Sequence, residues 1–147
     1  MRISIIYYII AVLLAYIISC IRSKWDGALI CYCFLVLATT VLNRASRNYV
    51  EYDLRLLKCI FINNNLLQQT ISNVIMFIPI GFISAKLSYS PIIIGTVLSI
   101  IIETMQLVYR KGVFEFDDII ANTLGTIVGQ LLYVSIKYLM DKMKKNY

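Results

Sequence analysis

The sequence predicts an all-α, polytopic integral membrane protein with about five transmembrane helices and a short interfacial helix. Three observations carry that prediction. Of the 147 residues, 60% are hydrophobic and only 15% are charged, against roughly half and a quarter in soluble domains. The mean hydropathy is +0.78, and a body this small has too little interior to hide so much apolar surface. The apolar residues also fall in runs of about 15–20, near the length that crosses a bilayer, separated by polar turns.

The first run, Met1–Ile21, carries Arg2 and then enough apolar residues to cross a ~30 Å core at ~1.5 Å per residue. No small-x-small cleavage pattern follows, so it reads as a retained helix. Ala28–Leu42 is shorter but sharply bracketed by Asp26-Gly27 and Asn43-Arg44, and spans with its ends snorkelling. Residues 43–65 are the one extended polar stretch. Within them Leu54, Leu57 and Phe61 recur at i, i+3 and i+7, with Arg55 and Lys58 between. That spacing suits an amphipathic helix lying in the interface, and an ordinary basic loop fits equally well. A third span runs from about Thr70 to Lys86. A fourth covers Pro91–Tyr109, with proline where a helix start tolerates it. Arg110–Asp117 is a charged turn, Asp118–Met140 the fifth span, and Asp141–Tyr147 a cationic end.

The net charge is +6, from 14 basic and 8 acidic residues. In such a chain the excess belongs beside anionic headgroups, so membrane lipids, not nucleic acid, are the expected partners. Histidine is absent, which excludes a Ser-His-Asp triad, a Cys-His pair and a histidine metal or haem site. No cofactor and no metal is expected. Cys20, Cys31, Cys33 and Cys59 read as small apolar side chains. Basic residues divide equally between the two faces of a five-span chain, so charge alone does not set the orientation. A lysine-rich end inside and the 43–65 loop outside is the reading adopted.

An ionisable group inside a span is costly unless it has partners or water, which makes it a default functional suspect. Thr96, Ser99, Glu103, Gln106 and Arg110 form one polar face at helical spacing on an otherwise isoleucine-rich span. Asp118, Asn122, Gly125 and Gly129 do the same on the fifth, where Gly125-x-x-x-Gly129 permits close helix approach. The third span places Asn73, Phe77 and Gly81 on one face with Pro79 between, which frees a backbone carbonyl. Antiparallel neighbours bring Asn73, Gln106, Arg110, Asp117, Asp118 and Asn122 to one membrane face, with Glu103 a turn or two deeper. A polar pocket opening on the 43–65 side is the expectation. An ordinary structural role competes with it: Arg110 could pair with an aspartate across the turn, and Glu103 could serve as packing glue.

Asn73-x-x-x-Phe77-x-Pro79-x-Gly81, Ser99-x-x-x-Glu103-x-x-Gln106, and Arg110 with Asp117-Asp118-x-x-x-Asn122-x-x-Gly125-x-x-x-Gly129 together resemble the VanZ-like family of bacterial membrane proteins. The resemblance is strong over Asn73–Leu132 and extends weakly upstream over Tyr32–Arg44. It divides the chain into an extra N-terminal helix and turn (1–27), a VanZ-like membrane domain (28–140) and a cationic tail (141–147). It implies a multi-pass protein of the bacterial cell membrane, and the family's namesake gives low-level teicoplanin resistance without remodelling the peptidoglycan precursor.

Three functions follow as expectations. In the first, Asn73, Ser99, Glu103, Gln106, Arg110, Asp117, Asp118 and Asn122 hold a lipid-linked cell-wall precursor, a glycopeptide or another amphipathic ligand. Phe77, Pro79, Gly81, Gly125 and Gly129 pack the helices around it. In the second, the protein is an intramembrane enzyme on a lipid or glycolipid, with Glu103 as general base and the paired aspartates as an acid or metal pair. In the third it is a small transporter or accessory subunit. No nucleophile beside a base is evident, so the binding reading is preferred.

Overall fold

The computed structural model of the chain describes residues 24–42, 46, 51–53 and 64–145. Among them, four helices are long and apolar enough to cross a membrane: Lys24–Leu42, Leu66–Lys86, Pro91–Val108 and Phe116–Lys145. They overlap the second to fifth expected spans; the first begins at Lys24, so Asp26 and Gly27, expected as a bracketing turn, lie inside the helix. The first expected span, Met1–Ile21, and the expected interfacial helix at Leu54–Phe61 lie outside the described residues.

Helix α1 (Lys24–Leu37) runs on into a π-helical turn at Ala38–Leu42. A π turn shifts the backbone ladder, and nearby side chains supply donors to its carbonyls. The Thr39 hydroxyl lies 3.0 Å from the Leu35 and Val36 carbonyls, and that of Thr40 lies 2.7 Å from Val36. At the end of the turn Lys111 Nζ donates to the Leu42 carbonyl at 3.1 Å, a cation where a helix terminus carries partial negative charge.

After strand β1 (Glu51–Asp53) comes α2 (Asn64–Lys86), which contains Pro79. Proline lacks the N–H that would bond the carbonyl four residues back. On the adjacent carbonyl, Met76, the Tyr32 hydroxyl of α1 donates at 3.1 Å, tying the two helices together beside the defect. Helix α3 (Pro91–Val108) follows, with proline in its first turn. Then come β2 (Val113–Glu115) and α4 (Phe116–Lys145). Strands β1 and β2 pair in parallel, with Glu51 opposite Val113, Tyr52 opposite Phe114 and Asp53 opposite Glu115. Three residues per strand make a clasp between two inter-helix connections rather than a layer, so the architecture stays all-α.

The core gathers Leu29, Val36, Val41, Phe77, Ile80 and Ile102. Outward-facing isoleucines and valines of α3, such as Ile93 and Val97, remain more than half or half exposed, as a lipid-facing stripe requires. The tightest contact joins α2 to α4. A Cβ added at Gly129 would meet the Ile78 carbonyl oxygen, one at Gly125 the Val74 carbonyl, and one at Gly81 the Thr126 carbonyl. These helices meet backbone to backbone, the small-residue packing expected between helices in lipid.

Two helix ends close in the same unusual way. Among the described residues, Arg110 and Ser88 are the non-glycine residues with positive φ, at 54° and 62°. At α2, Tyr89 N–H bonds the Ser84 carbonyl and Ser88 N–H that of Ala85; at α3, Lys111 N–H bonds Gln106 and Arg110 N–H bonds Leu107. Both are Schellman caps, in which the left-handed position normally belongs to glycine. Ser88→Gly is therefore expected to stabilise the protein by about 0.5–1 kcal/mol. Ser88→Val, β-branched and ill-suited to positive φ, should destabilise it; detergent-titration unfolding distinguishes the two signs.

Candidate functional site

The polar face expected on α3 is turned inward. Ser99, Glu103 and Gln106 are all buried there, with Gly95 and Ile102, while Ile100, Ile101 and Thr104 between them are exposed. The first two turns of α4 supply Asp118 and Asn122, also buried. Glu103 is 1% exposed and Asn122 2%. A polar cluster is thus enclosed between helices whose other faces suit lipid.

The cluster is held by contacts from four segments. Asn122 Nδ2 donates to Ser99 Oγ at 2.8 Å, joining α3 to α4. One turn further along, the Thr96 and Thr123 hydroxyls lie 3.1 Å apart. Glu115 N–H of β2 donates to Glu103 Oε2 at 3.0 Å, so the clasp sits over the end of the cluster. Gln69 Nε2 of α2 reaches Asp118 Oδ2 at 3.4 Å. Asp117 and Asp118 lie in the first turn of α4, where the helix dipole favours negative charge.

Asn122 Oδ1 is buried and has no hydrogen-bond partner. A buried amide oxygen left so costs on the order of 1–3 kcal/mol relative to one satisfied. Turning the amide over would give Ser99 an acceptor and leave the Asn122 nitrogen orphaned, so one polar atom here awaits a partner in either orientation.

The structure brings Ser99, Glu103, Gln106, Asp118 and Asn122 together. The remaining predicted ligand residues stand around them. Asn73 and Asp117 are half-buried, and Arg110 is exposed at the left-handed position of the α3 cap. Arg110 is not drawn inward because the cap turns the chain out of the helix before its side chain begins. Glu103 is covered by the clasp; the expected opening faces residues 43–65, most of which lie outside the described residues. Phe77 is fully buried in the core and Pro79 half-buried on α2.

Three contributors escaped the sequence reading. Gln69 precedes Asn73 by one helical turn and so shares its face, which is a usable signal. Thr126, fully buried, follows Asn122 by one turn in the same way. The Glu115 amide had no signal, because its position depends on pairing with β1. Among the described residues no group of three His, Cys, Asp or Glu side chains gathers as a metal site.

Compared with known proteins, the chain is matched over residues 5–138 by the family model described as VanZ/LLP1. The match begins within the first apolar run, so it takes in a segment that the sequence reading set apart from the domain. No curated protein and no solved structure matches the chain.

Proposed function

The chain belongs to the VanZ/LLP1 family, and from that premise we propose that it modulates a bacterial cell envelope by holding an amphipathic or lipid-linked ligand at its buried polar cluster, with low-level teicoplanin resistance as the outcome. The observation that carries this reading is the enclosure of Ser99, Glu103, Gln106, Asp118 and Asn122 between membrane-length helices, with one Asn122 amide atom unpartnered. Isoleucine would pack those positions without the several kcal/mol that ionisable groups cost inside a membrane. An unpartnered Asn122 amide atom favours a ligand with a hydrogen-bonding head, such as a hydroxyl or amine.

Arg110 supports the same reading from the rim. A bulky residue occupies a left-handed cap where glycine would sit about 1 kcal/mol more easily. Its exposed guanidinium stands at the headgroup end of α3 and suits a phosphate or carboxylate in bidentate fashion. An acyl-bearing glycopeptide, or the lipid-linked precursor it targets, presents both a polar head and an apolar tail to such a site.

Teicoplanin and vancomycin susceptibility in a susceptible Gram-positive host tests the proposal. Wild-type protein should raise the teicoplanin threshold over empty vector and leave vancomycin unchanged. Arg110→Ala should lower the gain at equal membrane abundance, since the anion partner is lost while alanine keeps a Cβ at the same positive φ. A wild-type protein that shifts neither drug would remove the resistance role.

A further inference from the structure

Helices α2 and α4 run side by side in the same direction, and their contacts fix the register between them. Val74 lies against Gly125 and Ile78 against Gly129. One turn on, the Phe82 and Tyr133 rings meet edge-to-face at 5.5 Å. The next step of four sets Lys86 level with Lys137. Helix α2 ends at Lys86, yet α4 continues to Lys145. Residues 138–145, about 12 Å of helix, therefore project past the end of α2, and all of them are exposed.

Interfacial residues mark the level where this projection begins. Lys86 Nζ lies 3.6 Å from the centroid of the Trp25 ring, and the Tyr89 hydroxyl donates to Asp26 at 2.9 Å. Tryptophan and tyrosine belong at the membrane–water boundary. The headgroup layer adds about 5–8 Å beyond each side of the hydrocarbon core, so most of the projection lies within it. Its surface has two faces. Ile136, Leu139, Met140 and Met143 recur at i, i+3, i+4 and i+7, and Leu139, Met140 and Met143 are 57%, 48% and 59% exposed. Lys137, Lys144 and Lys145 recur at i, i+7 and i+8 across the helix.

We infer that the projecting end of α4 is a docking surface for anionic phospholipid headgroups of the leaflet at that end. The apolar stripe dips toward the acyl boundary, and Lys142, Lys144 and Lys145 bind the headgroup phosphates. Charge complementarity selects this occupant. A zwitterionic surface would cover the stripe but leave the lysines uncompensated, and those near an anionic surface gain affinity that falls as salt screens them.

The test reconstitutes the full chain in vesicles holding equal amounts of phosphatidylglycerol and phosphatidylcholine, with bromine on the chains of one lipid or the other. A Met140→Trp variant, on the apolar stripe nearest the acyl boundary, reports the quenching, in a Trp25→Phe background that keeps an aromatic ring under Lys86 and removes the sole native tryptophan. Brominated phosphatidylglycerol should quench the reporter several-fold more than brominated phosphatidylcholine. Adding Lys142→Gln, Lys144→Gln and Lys145→Gln should abolish the preference. Equal quenching by both lipids overturns the inference. So does a preference that survives the triple substitution, or a reporter shielded from both lipids by a second copy of the chain.

Discussion

Gly129→Ala lowers the protein's resistance to unfolding by about 1–3 kcal/mol, and Gly129→Leu leaves little folded protein in the membrane. The sign is what makes the result informative. In a helix with nothing against it, alanine in place of glycine gains up to about 1 kcal/mol. Here the added methyl points at the Ile78 carbonyl and lies 2.7 Å from the Phe82 amide nitrogen. Both are backbone atoms of α2, so neither can rotate away as a side-chain end would. Gly125→Ala meets the Val74 carbonyl and should behave alike, whereas Leu131→Ala on the exposed face of α4 should change little. Unfolding in a detergent titration, with abundance measured by blot, separates these outcomes.

Glu103→Leu abolishes any teicoplanin protection, and Glu103→Gln keeps a weakened form of it. Leucine removes the acceptor for the Glu115 amide, leaves a part-buried N–H without that partner and costs on the order of 1 kcal/mol. Glutamine retains an acceptor of the same reach and gives up only the ionisable carboxyl, which weakens the contact without removing it. An acid–base role would make the two variants equally inactive, because glutamine cannot carry the proton. The ratio of their activities, at matched membrane levels, therefore separates binding from chemistry.

Much of this arrangement is legible in the residues themselves. The existence and order of the spans follow from polar interruptions such as Asn43-Arg44 and Arg110–Glu115, because a membrane-length apolar run between polar brackets has few alternatives, although Asp26-Gly27 and Asp117 turn out to lie inside helices rather than in the turns before them. The inward face of α3 follows from the spacing of Ser99, Glu103 and Gln106, and in lipid a polar stripe has one place to go. Gly125 and Gly129 announced a close helix contact, though only the structure names Val74 and Ile78 as what they approach.

Other features lacked a local signal. The β1–β2 clasp unites residues 51–53 with 113–115, and three residues carry too little periodicity to predict a pairing across sixty positions of chain. The left-handed caps at Ser88 and Arg110 use residues that do not advertise the conformation as glycine would. The lysine-rich end of α4 reads by charge as a tail, yet lysine, methionine and leucine all sustain helix well, so the helix continues through Lys145. Lys111, expected only as part of a charged turn, instead closes the π turn of α1 through the Leu42 carbonyl.

The central claim is that the enclosed polar cluster holds an amphipathic ligand. It is tested most directly by extracting and weighing the lipids that remain with purified wild-type, Asn122→Leu and Glu103→Leu proteins at equal yield. The account predicts one hydroxyl- or amine-bearing amphipathic species retained by wild type in near-stoichiometric amount and lost from both variants, with bulk phospholipid unchanged. An identical lipid profile from all three folded proteins would contradict it and leave the cluster a packing device.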